Sequence, residues 1–258
     1  MSRPGFTHGE WQVLGEELRL REAVQCDKKR SLPATALTDE TTCRALLDEL
    51  TPVIGSPDRA ITASLLSKRL AFLTTGSCLY AMSVYNKGLD LSLGNTLIEY
   101  GHDDGLWTSS LPLRQIQPVV APEGACEAWR RNIIGTLFAG LLAPLWQTFS
   151  RAGEISSHIL WENTAVRVYS LYERRMAKVV CPSLKARITQ DFDWLINGAD
   201  AALFGLPENP LSRFRRPLAV TGDGCKVRFR RTCCFYYKAS APVEYCSACP
   251  LLRPRKNP

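Results

Sequence analysis

The spacing of apolar residues divides the chain into a helix-patterned body and a C-terminal end of different texture. In "EWQVLGEELRLREAVQ" from Glu10 and "TTCRALLDEL" from Thr41, apolar positions recur at helical spacing, which predicts two amphipathic helices. Ser56, Pro57 and Asp58 read as N-cap, first helical position and first-turn acid, opening a helix through "RAITASLLSKRLAFL". "CLYAMSVY" continues that bundle. Alternation around "LDLSLGNTLIEYGHDDGLWTSS", with its Asp-Asp-Gly turn, predicts a strand pair. A long apolar helix is expected from roughly Cys126 to Ser150, kinked or ended near Pro144. Ser156 or Ser157 caps the next, "HILWENTAVRVYSLYERRM", in which Ile159, Leu160, Val166 and Tyr169 trace one face. "SLKARITQDFDWLING" is the last good helix, with Gly198 in the C-cap position. Beyond it, "RRPLAVTGDGCKVRFRRTCC" sets two short β-like runs about the turn "TGDG", a hairpin that delivers the chain to Cys233. The expected fold is mostly α (α+β): a helical body, a small antiparallel β element, and a C-terminal β-hairpin with a cysteine-rich loop.

The 258 residues are enough for a sizeable core. The first segment mixes charged with apolar residues and has no apolar signal-peptide region. The uncharged run between Arg131 and Arg151 is diluted by Asn132, Gly135, Gly140, Pro144 and Gln147, so it reads as a buried core helix rather than a membrane span. Net charge is +7, but residues 211–258 carry 11 basic residues against Asp223 and Glu244, while the remainder holds 21 basic against 23 acidic. The excess positive charge therefore sits beside the cysteines. This divides the chain into a mainly helical body, residues 1–210, and a basic C-terminal segment, residues 211–258.

Of ten cysteines, Cys26, Cys43, Cys78, Cys126, Cys181 and Cys225 show no ligand spacing. Without a visible export signal, reduced thiols are expected. Cys233, Cys234, Cys246 and Cys249 form C-C-x11-C-x2-C. The last two suit a zinc knuckle, but side chains of adjacent residues in a strand diverge, which strains closure of the first two on one tetrahedral ion. A cluster of several irons relaxes that demand, and four thiols suit a 2Fe-2S or a 4Fe-4S centre. Spacing thus favours iron-sulfur and leaves zinc open.

"RRTCCFYYKASAPVEYCSACPL" resembles the ending of the FhuF-like ferric siderophore reductases, whose C-C-x10-C-x2-C carries a 2Fe-2S cluster. "GEISSHILWENTAVRVYSLYERRM" from Gly153 is similar to that family's G-E-I and W-x-N-T helix, and "ENPLSRF" from Glu208 to its N-P-L segment. "IIGTLFAGLLAPLWQ" extends the resemblance over about the last half of the chain. Here eleven residues separate the cysteine pairs, a one-residue loop insertion of small energetic cost.

The resemblance implies a ferric-siderophore reductase with one 2Fe-2S cluster per chain, held by Cys233, Cys234, Cys246 and Cys249. It would act in the cytoplasm by one-electron transfer, with room for peripheral contact with the inner membrane or a siderophore importer. No dinucleotide or P-loop motif is present. The expected partners are therefore a ferric siderophore and a separate electron donor, whether a ferredoxin, a flavoprotein reductase or a thiol, and not nucleic acid. No catalytic residue is expected beyond the cluster. Arg230, Arg231, Lys238 and Asn163 are the candidate substrate or cluster neighbours; the three cations would raise the cluster's potential and attract an anionic chelate. Tyr236 and Tyr237 are expected to shield the cluster, Trp161 to pack in the core, and His8, His102 and His158 to play no part. The alternatives are a zinc-stabilised nucleic-acid-binding module, for which the basic tail argues, and a non-catalytic iron-sulfur sensor or assembly protein.

Overall fold

Helical periodicity becomes helix over most of the computed structural model of the chain, which describes residues 5–124, 126–221 and 224–253. Its α-helices are α1 (His8–Gln12), α2 (Glu40–Val53), α3 (Arg59–Tyr85), α4 (Cys126–Gly135), α5 (Ala143–Ala152), α6 (Ser157–Ser170), α7 (Pro182–Asp193) and α8 (Pro210–Arg213). The strands are short: β1 (Leu20–Glu22), β2 (Ser31–Pro33), β3 (Lys87–Gly88), β4 (Leu97–Glu99), β5 (His102–Asp103), β6 (Leu106–Trp107), β7 (Leu111–Leu113), β8 (Val119–Val120), β9 (Ala219–Val220) and β10 (Lys226–Val227). They pair in twos: β1 runs parallel to β7, and β2–β4, β3–β8, β5–β6 and β9–β10 are antiparallel. The structure is thus mostly helical with small β elements.

α3 is the axis of the body. It is buried on nearly every side, as expected of a helix apolar all round, and its most extensive packing is against α6. Buried hydroxyls along it are satisfied locally: Thr74 and Thr75 donate to the carbonyls of Leu70 and Ala71. "CLYAMSVY" is the last part of this single helix, which ends at Asn86 in the left-handed conformation. The Asp-Asp-Gly turn joins β5 to β6, with Asp104 at φ 51° and Gly105 at φ 76°, the left-handed pair that a two-residue hairpin requires.

Several expectations are corrected. The helix from Glu10 ends early: a π turn follows α1 at Val13–Glu17, Arg19 adopts φ 65°, and the chain turns into β1. Pairing with β7 buries Leu20 completely, which outweighs helical periodicity over this stretch. Asp58, not Ser56, caps α3, because its carboxylate accepts from Ile61 N at 2.8 Å while Ser56 Oγ donates to the carbonyl of Asp58. The long apolar helix continues through Pro144: its register widens to a π turn at Thr136–Leu142, so Ala143 N donates to Phe138 O and the proline follows directly. Cys126–Ala152 is long and apolar enough to cross a membrane, yet 56% of its most apolar stretch is buried inside the protein.

On α6 the buried positions are Leu160 to Ala165, Val168 and Tyr169, while Ile159 and Val166 are only half-buried. Gly198 is not a left-handed cap. It closes the π turn Trp194–Gly198, and a Cβ there would lie 3.0 Å from Trp194 Cδ1, so the missing side chain leaves room for the indole. β9 and β10 form the expected hairpin, whose turn residues Gly222 and Asp223, like Arg255 and Lys256 of the basic tail, lie outside the described residues.

Candidate functional site

The two cysteine pairs meet because the backbone before the first is bonded to the backbone inside the second: Arg230 N donates to Ala248 O at 2.9 Å. Cys249 N donates to Cys246 O at 2.9 Å, folding the C-x2-C into a turn. One sulfur from each pair then approaches the other, Cys234 Sγ lying 3.6 Å from Cys246 Sγ. Cys234 and Cys249 are buried, and Cys233 and Cys246 are half-buried. Phe235, at φ 59°, turns the chain sharply after the adjacent pair, and its N–H points at Cys233 Sγ, 3.3 Å away. Among the described residues, no three His, Cys, Asp or Glu side chains converge as a ready-made site for a single ion.

Three neighbouring side chains hold this segment on the body. Glu162 of α6, 1% exposed, accepts from Arg231 N and Thr232 N at 2.7 Å each and from Thr232 Oγ1 at 2.5 Å. Ser64 of α3 donates to Cys234 O at 3.0 Å. Asn163, fully buried, donates through Nδ2 to Ser64 O and Ser67 Oγ, both at 2.9 Å. It therefore reaches the cysteine segment through Ser64 and is closed off from any ligand outside. Ser64, Ser67 and Lys68 fall at i, i+3 and i+4 of α3, so one helical face presents all three to the C-terminal segment.

The W-x-N-T stretch resolves into separate tasks. Trp161 packs in the core, Glu162 clamps the backbone before Cys233, Asn163 joins α6 to α3, and Thr164 Oγ1 accepts from Trp146 Nε1 at 3.0 Å. In the N-P-L stretch, Asn209 caps α8 through Leu211 N and Ser212 N, and the carbonyl of Leu211 accepts from Tyr169 at 2.6 Å.

Cations surround the thiols. Lys68 Nζ lies 3.9 Å from Cys234 Sγ and 5.0 Å from the centre of the Tyr236 ring. Arg230 is buried, its Nε 3.9 Å from Glu162 Oε2. Cys234 and Cys246 share one proton: a hydrogen bond from Cys246, helped by Lys68 against the cost of burial, pulls the Cys234 thiol down to about 5, while Cys246 is pushed up. Lys68 stands on the Cys234 side of the pair and favours negative charge there. Desolvation pulls the Lys68 ammonium and the Arg167 guanidinium below their ordinary ranges.

The remaining candidate residues are placed less centrally. Arg231 is exposed and engages Glu162 through its backbone, and Lys238 is exposed over the Phe235 ring. Tyr237 stacks on Tyr245, with ring centres 5.3 Å apart. His8 and His158 are exposed, and His102 packs edge-on against Trp107. Glu162, Ser64, Lys68 and Arg167 were missed by reading motifs. Glu162 occupies the unspecified position of W-x-N-T, and the other three lie on helices distant in sequence from the cysteines.

Two cavities open beside the thiols and share Lys68, Arg167 and Tyr236. One, of about 550 Å³, lies toward Phe72, His102 and Trp107. The other, of about 650 Å³, lies between α6 and the C-terminal hairpin and reaches Cys246.

Two family models match the chain. That of the ferric iron reductase FhuF-like transporter covers residues 64–217, and that of the FhuF 2Fe-2S C-terminal domain covers residues 230–251. The second identifies the cofactor as a 2Fe-2S cluster and sets aside a zinc module. No curated protein matches the chain at a significant level.

Proposed function

Because the chain belongs to the FhuF-like ferric iron reductase family, we propose that it reduces siderophore-bound ferric iron to ferrous iron by one-electron transfer, freeing the metal in the cytoplasm. The observation that carries this reading is Cys246 in the wall of a cation-lined cavity of about 650 Å³, within the size range of small-molecule sites. We assign Cys233, Cys234, Cys246 and Cys249 as the cluster ligands. They fit the group: the donor set is all thiol, and sulfurs from the two pairs already meet at 3.6 Å. When bound, the 2Fe-2S cluster supplies a single electron per cycle.

The chain's own residues set the conditions. Glu162, Ser64 and the Arg230–Ala248 bond hold the cysteine segment together and against the helical body. Lys68, Arg167 and Arg230 surround the thiols with positive charge, which favours the more negative reduced state and raises its potential. Tyr236, beneath Lys68, lines both cavities. The siderophore's hard oxygen donors suit ferric far better than ferrous iron, so one electron loosens the substrate metal. With no dinucleotide motif in the chain, a ferredoxin, flavoprotein reductase or thiol must restore the electron, and contact with the inner membrane or an importer would bring the substrate to it.

Protein reduced with dithionite, freed of reductant and mixed anaerobically with a ferric siderophore and a ferrous-trapping chelator, is expected to yield about one trapped ferrous ion per cluster. A reduced cluster that passes no electron to any ferric siderophore overturns the reading.

A further inference from the structure

The outer face of the cysteine segment keeps large apolar side chains in solvent. Val243 and Tyr245 precede Cys246, Leu251 and Leu252 follow Cys249, and these four are 64%, 44%, 59% and 52% exposed. Cys249 N donates to Cys246 O and Leu252 N to Cys249 O, winding the stretch into consecutive tight turns. Each of the four lies within three residues of a cysteine, which keeps its Cα within about 11 Å of that cysteine's. Exposed apolar groups gathered at one place on a surface mark a contact site.

The same face is basic. Arg231, Lys238 and Arg253 are exposed and form no ion pair among the described residues. From Gly224 to Arg253 the one acid is Glu244, whose carboxylate accepts from Tyr236 Oη at 3.3 Å and lines the cavity beside Trp107. Cys233 and Cys246 are half-buried, so two of the thiols come close to this surface. Neither the four apolar side chains nor the three cations line either cavity.

We infer that this face docks the electron donor, and that the donor is a small acidic electron-carrier protein with carboxylates around its redox centre. Apolar contacts rimmed by charge are the anatomy of a protein interface, and electron-transfer encounters are small and transient, so a few side chains suffice. A small thiol would use neither the apolar groups nor the spread of charge. An anionic membrane would use both, but membrane-surface elements are amphipathic helices with a continuous apolar face, whereas these residues sit on loops and a three-residue helical turn. One electron passes from the donor's reduced centre to the cluster, oxidising the first and reducing the second, with no bond made or broken. The inference rests on the reading of the chain as a reductase recharged by a separate donor.

Flavodoxin hydroquinone is an acidic carrier whose semiquinone product is spectrally distinct from a cluster. Stopped-flow mixing of it with the oxidised, cluster-loaded full chain measures this step apart from siderophore reduction. The rate constant is expected to fall at least about tenfold from low to high salt. Lys238→Glu with Arg253→Glu should lower the low-salt rate about tenfold and flatten the salt dependence, and Leu251→Ser with Leu252→Ser should lower the rate at both salts. Both variants should keep the cluster's visible absorption and its rate of reduction by photoreduced deazaflavin, a small reductant that needs no docking face. Transfer that is independent of salt, or that either variant leaves unchanged, overturns the inference. So does binding to vesicles of anionic phospholipid that the charge variant abolishes while transfer from flavodoxin stays the same. Salt-dependent transfer into a cluster that passes no electron to a ferric siderophore refutes the reductase reading and leaves this inference standing. Ferrous release by dithionite-reduced protein, together with salt-independent transfer from flavodoxin, does the reverse.

Discussion

Glu162 shows how one side chain can fix a metal-binding segment without touching metal. Its two carboxylate oxygens accept three hydrogen bonds from Arg231 and Thr232, in a site closed to water. Glu162→Gln turns one acceptor into a donor facing N–H groups. We expect it to cost about 2 kcal/mol and to lower the melting temperature of the loaded protein by about 5 °C. Cluster loss on dilution, followed by visible absorption, should be faster as well. An unchanged melting temperature together with an unchanged rate of cluster loss would show that Glu162 is not the clamp. At this scale the four cysteines were legible because their spacing is itself the chemical signal. Glu162 was not: a glutamate on a helix reads as solvated until the fold places backbone donors against it. The cations were half legible, since counting charge found Arg230 in the basic tail but gave no hint that Lys68 and Arg167 come from α3 and α6 to meet the same sulfurs.

Among the elements, the junction before α6 shows what the G-E-I stretch does physically. Gly153 lies so close to α3 that a Cβ would sit 2.8 Å from Ala63 Cβ and 2.9 Å from Phe149 O. Glu154 follows at φ 50°, and Ile155 turns back into the core. Gly153→Ala should therefore push α3 away from the α5–α6 junction at a cost of about 1–3 kcal/mol. Chemical denaturation is the check, and a variant as stable as the parent would show that the contact is slack. Helix identity was legible here from period, as α2 and α6 show, whereas Ser156, at the expected N-cap position of α6, makes no side-chain cap hydrogen bond. What the pattern could not reveal was π register: the widened turn at Thr136–Leu142 keeps apolar spacing while shifting the hydrogen bonds, and so carries the helix through Pro144. The early end of the first helix was hidden for a different reason. Leu18 and Leu20 satisfy a helical pattern, and only the partner strand β7, distant in sequence, decides that they bury as extended chain.

For the whole molecule, the helical body supplies the clamp and much of the charge, while the C-terminal segment supplies the thiols. Neither makes the site alone, because Ser64 and Glu162 act on Cys234, Arg231 and Thr232 across sequence separations that only the packed α3–α6 pair closes. The central claim is that the four terminal thiols hold two irons and cycle one electron. Visible absorption and electron paramagnetic resonance of anaerobically isolated protein, before and after dithionite and alongside iron and acid-labile sulfide analysis, test it most directly. The account predicts about two irons and two sulfides per chain, a silent oxidised state, and a spin-one-half signal on reduction that disappears when Cys234 or Cys246 is replaced by alanine. Zinc in place of iron, or a reduced protein with no spin signal, would contradict it.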